Sequence, residues 1–286
     1  MKPSISLDCI ALKQAFNRAA PAYAEYGLLS QEIAARLFDR LDVIKVQPEI
    51  VVDLGCSTGY CTVELAQRFP NAQIIGIDFA EQMLNFATSG ININYQCENA
   101  EHTSLADQSI DFVFANLLLH WCDMKALFAE VKRVLKPNGL LLFSTLGPDT
   151  LQELRYCWRQ VDKLTHVHQF TDMHDIGDLL LEMKFADPVM DMEFLTTTFP
   201  DAESLMYSLK MAGAHNVNVN RPKHLMGKQK LEKVVEAYEQ FRDEDNLIPA
   251  TFEVIYGHAW QPDLSQRQSI DADGHAHIPI NLIKIK

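Results

Sequence analysis

The stretch Ile50-Val51-Val52-Asp53-Leu54-Gly55-Cys56-Ser57-Thr58-Gly59-Tyr60 constrains this chain more than any other. An apolar run ends in an acid, a glycine-bearing turn follows, and the turn opens an amphipathic segment. A second apolar run, Ile74-Ile75-Gly76-Ile77, then ends at Asp78. That order predicts strand, tight turn, helix and strand, a unit that holds a nucleoside across the carboxyl edge of a sheet. A dinucleotide site wants G-x-G-x-x-G, so that backbone can press against a pyrophosphate. Here Asp53 stands where that pattern places its first glycine, and the spacing is Asp53-x-Gly55-x-x-x-Gly59. With no phosphate cradle and an acid at the turn, the expected ligand is a cationic nucleoside, not NAD or ATP.

The rest of the chain repeats the alternation. Helices are expected over residues 8–19 and 27–42, then strand 50–54, helix 59–69, strand 73–77, helix 80–88, strands 93–97 and 110–115, helix 123–135 and strand 139–146. Lys136-Pro137-Asn138-Gly139 reads as the turn that launches that strand. Helices near 149–161 and 174–184 precede a β-like run over 187–199, and Phe252 to Trp260 reads as the last strand. Such alternation predicts an α/β fold, a mostly parallel sheet with helices on both faces. Two helical stretches, 201–212 and 228–243, lie where such a fold needs only a short connection. Residues 200–245 are therefore expected to be an insertion or lid, and residues 1–45 to be N-terminal helices covering the site, all within a single domain spanning 1–286. The tail, ending Ile-Pro-Ile-Asn-Leu-Ile-Lys-Ile before the last residue, reads as an edge strand or a frayed end.

A net charge of −13 over 286 residues argues against DNA or RNA, which need a basic footprint. No run approaches the ~20 apolar residues of a membrane span. The first residues lack a secretory pattern, and the six cysteines include no C-x-x-C pair. Reduced thiols, a cytoplasmic location and a monomer are the expectation. One basic segment breaks the acidity, with Arg221, Lys223, Lys228, Lys230 and Lys233 against Glu232. It reads either as a solvated helix end or as a docking site for an acidic partner.

The Asp53–Gly59 turn, Asp78 and the Glu98-Asn99-Ala100-Glu101 segment together resemble the Rossmann-like class I S-adenosylmethionine-dependent methyltransferases, whose sheet has seven strands. The resemblance implies that Asp53, Gly55, Cys56, Ser57 and Gly59 wrap the methionine part of S-adenosylmethionine. It also implies that Asp78, with Phe79 beside it, receives the ribose hydroxyls, and that Asn99, Ala100 and Asn116 complete the nucleoside site. Ser57 and Asn99 depart from the family's commoner glycine and aspartate. Further segments narrow the likeness: Phe16-Asn17-Arg18-Ala19-Ala20 with Tyr23, Asn116 to Trp121, Leu146-Gly147-Pro148-Asp149-Thr150-Leu151 with Arg155, Met173 to Asp178, Pro188 to Asp191, and Phe252 to Trp260. These resemble the malonyl-[acyl carrier protein] O-methyltransferases of biotin biosynthesis over nearly the whole chain. That likeness implies methylation of the free carboxylate of a malonyl thioester, carried by acyl carrier protein or CoA, so that elongation towards pimeloyl can proceed.

A carboxylate is ionised at neutral pH, so methyl transfer to it needs no general base. The site must instead align a carboxylate oxygen with the S–CH3 bond and exclude water. Arg155 is a candidate carboxylate fork, the alternative being a surface arginine. Tyr23 could close over the reacting groups or simply pack. His120 and Trp121 follow the fourth strand, where acceptors bind in this fold, although Trp121 also suits a core. The pairs His166/His168 and His275/His277 have H-x-H spacing, but no ligand set is completed and no metal is expected. Met173, Met183, Met190 and Met192 read as core filling, and Asp149 and Asp175 as helix caps. The acidic acyl carrier protein would give Arg221, Lys223, Lys228 and Lys230 a docking role. Two other readings stay open: transfer to another small carboxylate or a phenolic quinone precursor, with His120 as base, and a methyltransferase-like respiratory-complex assembly factor.

Overall fold

The computed structural model describes residues 7–221 and 227–263. The chain opens with α1 (Cys9–Ala19), α2 (Tyr23–Tyr26) and α3 (Leu28–Leu41). Asp8 starts α1 by accepting the Ala11 N–H at 3.0 Å. The alternating unit follows as β1 (Ile50–Leu54), α4 (Tyr60–Arg68), β2 (Gln73–Asp78), α5 (Glu81–Asn85), β3 (Ile93–Cys97), β4 (Ile110–Ala115), α6 (Met124–Val134) and β5 (Leu135–Leu146). Then come α7 (Gln152–Val161), α8 (Met173–Glu182), β6 (Ala186–Phe199), α9 (Ala202–Met211), α10 (Lys228–Tyr238) and β7 (Ile248–Trp260).

The seven strands form one sheet in the order β3-β2-β1-β4-β5-β7-β6. All neighbours run parallel except β7, which is antiparallel to both β5 and β6. The chain steps outward from β1 through β2 to β3, then returns to place β4 on β1's other side. That reversal opens a crevice at the carboxyl ends of β1 and β4, where ligands bind in doubly wound sheets. Both faces are covered, so the central strands are apolar throughout rather than alternating. Val51 and Phe112 face one buried layer with Leu37 and Tyr238, while Val52 and Val113 face the other with Phe128 and Leu180.

Several expectations need correcting. The helix expected over 80–88 stops at Asn85, and the Tyr95 hydroxyl donates to the Thr88 carbonyl at 2.9 Å beyond its end. The Lys136–Gly139 turn lies inside β5: Leu135 already pairs with Ile110, and a register shift absorbs the turn. Helix α8 is capped by Asp172, which accepts the His174 N–H, so Asp175 sits in its first turn instead. Helix α7 starts after Leu151, which adopts φ +54° with no side-chain cap, so Asp149 is not its cap. The last strand begins at Ile248, earlier than expected, because Thr196 to Phe199 of β6 supply it with partners. The expected C-terminal edge strand and His275/His277 lie outside the described residues. No described helix is long and apolar enough to cross a membrane, and the described residues hold no cluster of metal-ligating side chains.

Candidate active site

The carboxyl ends of β1, β2 and β4 open into a cavity of about 440 Å3. Its floor is the Gly55–Ser57 turn, Asp78 and Phe79, and the Glu98–Glu101 segment; its far wall includes Asn116, His120, Trp121, Thr150 and Leu151. The roof comes from the N-terminal helices and from α9 with the residues after it. Phe16 and Lys13 of α1, Tyr23 and Tyr26 of α2, and Leu209 and Ala212 at the end of α9 all line it. Two contacts close that roof: Tyr26 meets Tyr207 edge-on at 5.8 Å, and the Asp8 N–H donates to the Val217 carbonyl at 2.8 Å.

The turn after β1 is built by backbone geometry. Gly55 has φ +74°, and a Cβ there would meet Leu118 Cδ1 at 3.0 Å, so glycine keeps the turn close to the cavity wall. Ser57 holds φ +49° although it has a side chain, and Leu117 and Leu151 on the same cavity wall are also left-handed. Three left-handed, non-glycine residues thus shape the cavity wall. Asp78 locks the turn, its carboxylate accepting the Ser57 N–H at 3.0 Å and the Ala80 N–H at 2.8 Å. Burial is the main influence on that carboxyl and raises it to about 6, against those two bonds.

Asp53 lies elsewhere than expected. It is buried beneath the turn, takes the Thr62 hydroxyl at 2.6 Å, and does not line the cavity. Burial raises it to about 7. Gly59 and Cys56 likewise do not line the cavity. Gly59 makes room for Tyr95, whose hydroxyl would clash with a Cβ there, and the Cys56 thiol is buried beside Gly76. Of the expected nucleoside contacts, Gly55, Ser57, Asp78, Phe79, Asn99, Ala100 and Asn116 do line it. Asn116 is also a strut: its amide donates to the Ser30 carbonyl at 3.0 Å and accepts the Ser144 hydroxyl at 2.7 Å.

Tyr23, His120 and Trp121 converge on the same cavity. The Ser57 hydroxyl lies 3.5 Å from the Tyr23 hydroxyl. His120 contacts the Thr145 hydroxyl at 3.1 Å and packs against Trp121 and Phe170. Burial, then the neighbouring His168, lowers His120 to about 3, so it is uncharged at neutral pH. Trp121 sits edge-on between Phe16 and His168, at 5.6 and 5.4 Å.

Arg155 does not face this cavity. One of its terminal nitrogens donates to the carbonyls of Thr150 at 2.9 Å and His168 at 3.2 Å, and the side chain lines a separate, smaller cavity. The basic segment is also partly neutralised. Arg221 pairs with Asp8 at 2.9 Å and Lys230 with Asp162 at 2.8 Å, while Lys228 is exposed beside Glu232 and Lys223 lies outside the described residues. Lys13, Tyr26 and His168 were not legible as site residues, because each reaches the cavity only through helix and loop placement.

The residues fit a cationic nucleoside. Asp78 presents a buried carboxylate to the cavity with no salt-bridge partner among the described residues, and Asn99 and the turn backbone supply polar edges beside it. The methyltransferase domain family matches residues 52–143. The chain is 43% identical to a malonyl-[acyl-carrier protein] O-methyltransferase of Gallionella capsiferriformans over 98% of each chain. A protein of the same name from Coxiella burnetii is 41% identical over 99% of this chain and 98% of its own. Among solved structures, the YcgJ protein of Bacillus subtilis covers 83% of this chain and 98% of its own, with TM-score 0.54 at 17% identity. Phosphoethanolamine N-methyltransferase 2 of Haemonchus contortus, in complex with S-adenosylhomocysteine, covers 80% of this chain and 52% of its own, with TM-score 0.51 at 16% identity.

Proposed function

This chain belongs to the malonyl-[acyl-carrier protein] O-methyltransferase family, and from that premise we propose that it transfers a methyl group from S-adenosylmethionine to the free carboxylate of a malonyl thioester on acyl carrier protein. The donor supplies a methyl group already activated by the positive sulfur. The chain's task is then to hold two charged reactants in line and keep water away. Asp78 and Asn99 bind the nucleoside, and Gly55 and Ser57 hold the methionine part through backbone. A carboxylate oxygen provides the electron pair of the new O–CH3 bond, and the pair of the broken S–CH3 bond stays on sulfur. No proton moves.

One observation carries the choice of acceptor. His120, half-buried in the cavity wall, is held neutral with a basicity far below the useful range for deprotonating a phenol. An acceptor that is already an anion needs no such base. Neutral His120 and the Tyr23 hydroxyl are suited to donating hydrogen bonds to a carboxylate, replacing the water it loses. Helices α1, α2 and α9 act as the lid that completes the enclosure. The methyl ester product carries no charge at its far end and so resembles an ordinary acyl chain, the form that elongation towards pimeloyl, and hence biotin, requires.

Purified protein incubated with malonyl-carrier and S-adenosylmethionine should yield a malonyl methyl ester, seen as a 14 Da gain (one CH2, on the order of 14) by mass spectrometry. Transfer to a phenol instead would favour His120 as a base, and donor binding without any transfer would favour an assembly role. Lys228, exposed at the start of α10, is the basic side chain best placed to meet the acidic carrier. Charge reversal there should weaken use of malonyl-carrier more than of malonyl-CoA, and equal losses would remove that docking role.

A further inference from the structure

A second cavity, of about 210 Å3, lies against the first and shares His166 and Val167 with it as a common wall. Three cations line it, Arg155, Arg159 and Lys163, with one acid, Asp162. That acid is already engaged. It accepts the Leu164 N–H at 3.0 Å and Lys230 Nζ at 2.8 Å, and lies 2.8 Å from His166 Nε2. Burial works against its ionisation, but Lys230, the Leu164 amide and His166 prevail and hold it at about 2. Its charge is thus matched by Lys230, not by the two arginines.

Neither arginine has an ion-pair partner among the described residues. Arg155 donates from Nη2 to two carbonyls, while its buried Nε has no hydrogen-bond partner among the described residues. Arg159 and Lys163 form no ion pair among the described residues; Arg159 stands close enough to disfavour the charge on Arg155, and Asp149 to favour it. A buried donor without a partner is costly, as are like charges brought together. An oxyanion would relieve both, and guanidinium groups match phosphate through paired N–H bonds. The position adds a direction: Lys230 reaches this wall from α10, whose exposed Lys228 and Lys233 lie one helical turn or less from it in sequence.

We propose that this small cavity is a phosphate subsite, and that it takes the phosphate of the pantetheine arm whose thioester end lies in the large cavity. The inference rests on the malonyl-thioester reading above. It divides recognition into three parts: exposed lysines for the carrier surface, the arginine-lined cavity for the phosphate, and the main cavity for the malonyl group.

The test uses the full-length chain with Arg159→Gln and Lys163→Gln combined. Both side chains are exposed, so the melting temperature should not change. Four acceptors are compared: malonyl-carrier, malonyl-CoA, malonyl-phosphopantetheine and malonyl-pantetheine, which lacks phosphate. The variant should lose about tenfold or more in kcat/KM on the three phosphate-bearing acceptors, mainly through KM, and less than about twofold on malonyl-pantetheine. Equal losses on all four overturn the subsite. So does a loss confined to malonyl-carrier, which would mean that these cations meet the carrier's own acids. Calorimetry with phosphopantetheine and pantetheine separates this idea from its premise. If no thioester is methylated but phosphopantetheine still binds more tightly, and loses that advantage in the variant, the acceptor reading fails and the subsite stands. If the two ligands bind alike, the subsite fails whatever the enzyme methylates.

Discussion

The Nδ1 atom of His120 lies 3.1 Å from the Thr145 hydroxyl, which fixes the imidazole at the carboxyl edge of β5. Thr145 is itself buried, so the contact is sheltered from water. Replacing it by valine keeps the shape and leaves the ring nitrogen unpartnered. Thr145→Val should lower kcat by about tenfold, the loss of one buried hydrogen bond, with donor affinity unchanged by calorimetry. Because His120 is held neutral down to about pH 3, kcat at saturating donor should show no His120 limb between about pH 5.5 and 8. A rate that climbs through pH 6–7 and flattens in a His120→Gln variant would instead identify it as a base.

Asp78 is the buried carboxylate that faces the cavity. Asp78→Asn should weaken S-adenosylmethionine binding by about 10- to 100-fold, since hydrogen bonds to a charged acceptor contribute roughly 1.5–3 kcal/mol. In the native chain, burial raises this carboxyl to about 6. Hydroxyl donors and a cationic ligand favour its ionised form, so binding releases a proton near that pH. Affinity should therefore fall as pH drops through about 6, by up to about tenfold per unit, and the asparagine variant should lose this dependence. Titrations in two buffers of different ionisation enthalpy would reveal the proton directly.

Asp53 affects stability rather than contacting ligand. Its carboxyl is raised by burial to about 7 in the folded chain and returns to about 4 when unfolded. The folded state therefore holds the proton more tightly, and rising pH costs stability progressively between about 4 and 7. Asp53→Asn removes that cost. Without ligand, the variant's melting temperature should gain on the native chain between pH 5 and pH 8, by about 2 °C or more. A difference that shrinks with rising pH would show that Asp53 is ionised and favourably partnered.

Gly59 has φ +82° and faces the Tyr95 ring. Gly59→Ala combines a left-handed backbone with a clash, and should destabilise the chain by about 2 kcal/mol or more. Adding Tyr95→Phe removes the nearest atom and should recover part of the melting temperature, while the backbone term remains. Full recovery would mean that the clash alone was at work.

The crevice was legible because its signals are local. Two apolar runs each closing on an acid, with glycines at fixed offsets between them, leave little freedom about strand, turn and strand. Ser57, Asp78 and Asn99 all lie at strand ends or just beyond, and strand ends meet at one edge of a parallel sheet. His120 and Trp121 follow the same logic after β4. Arg155 misled because helical spacing says nothing about which neighbour a long side chain reaches, and here two backbone carbonyls hold it. The basic segment showed its charges but not their pairing: Asp8 and Asp162, far away in sequence, neutralise Arg221 and Lys230, while Lys228 stays exposed.

Local patterning, then, was sufficient for the order of strands and helices, the turn chemistry and the edge of the sheet that binds. Those follow from dihedral preferences and hydrophobic periodicity, which act over a few residues. The roof over the cavity, the burial that neutralises His120 and lifts Asp53 and Asp78, and the gathering of Arg155, Arg159 and Lys163 around a separate cavity were decided only on folding. Each depends on the dielectric and the partners that distant segments bring, and no short window of sequence contains them.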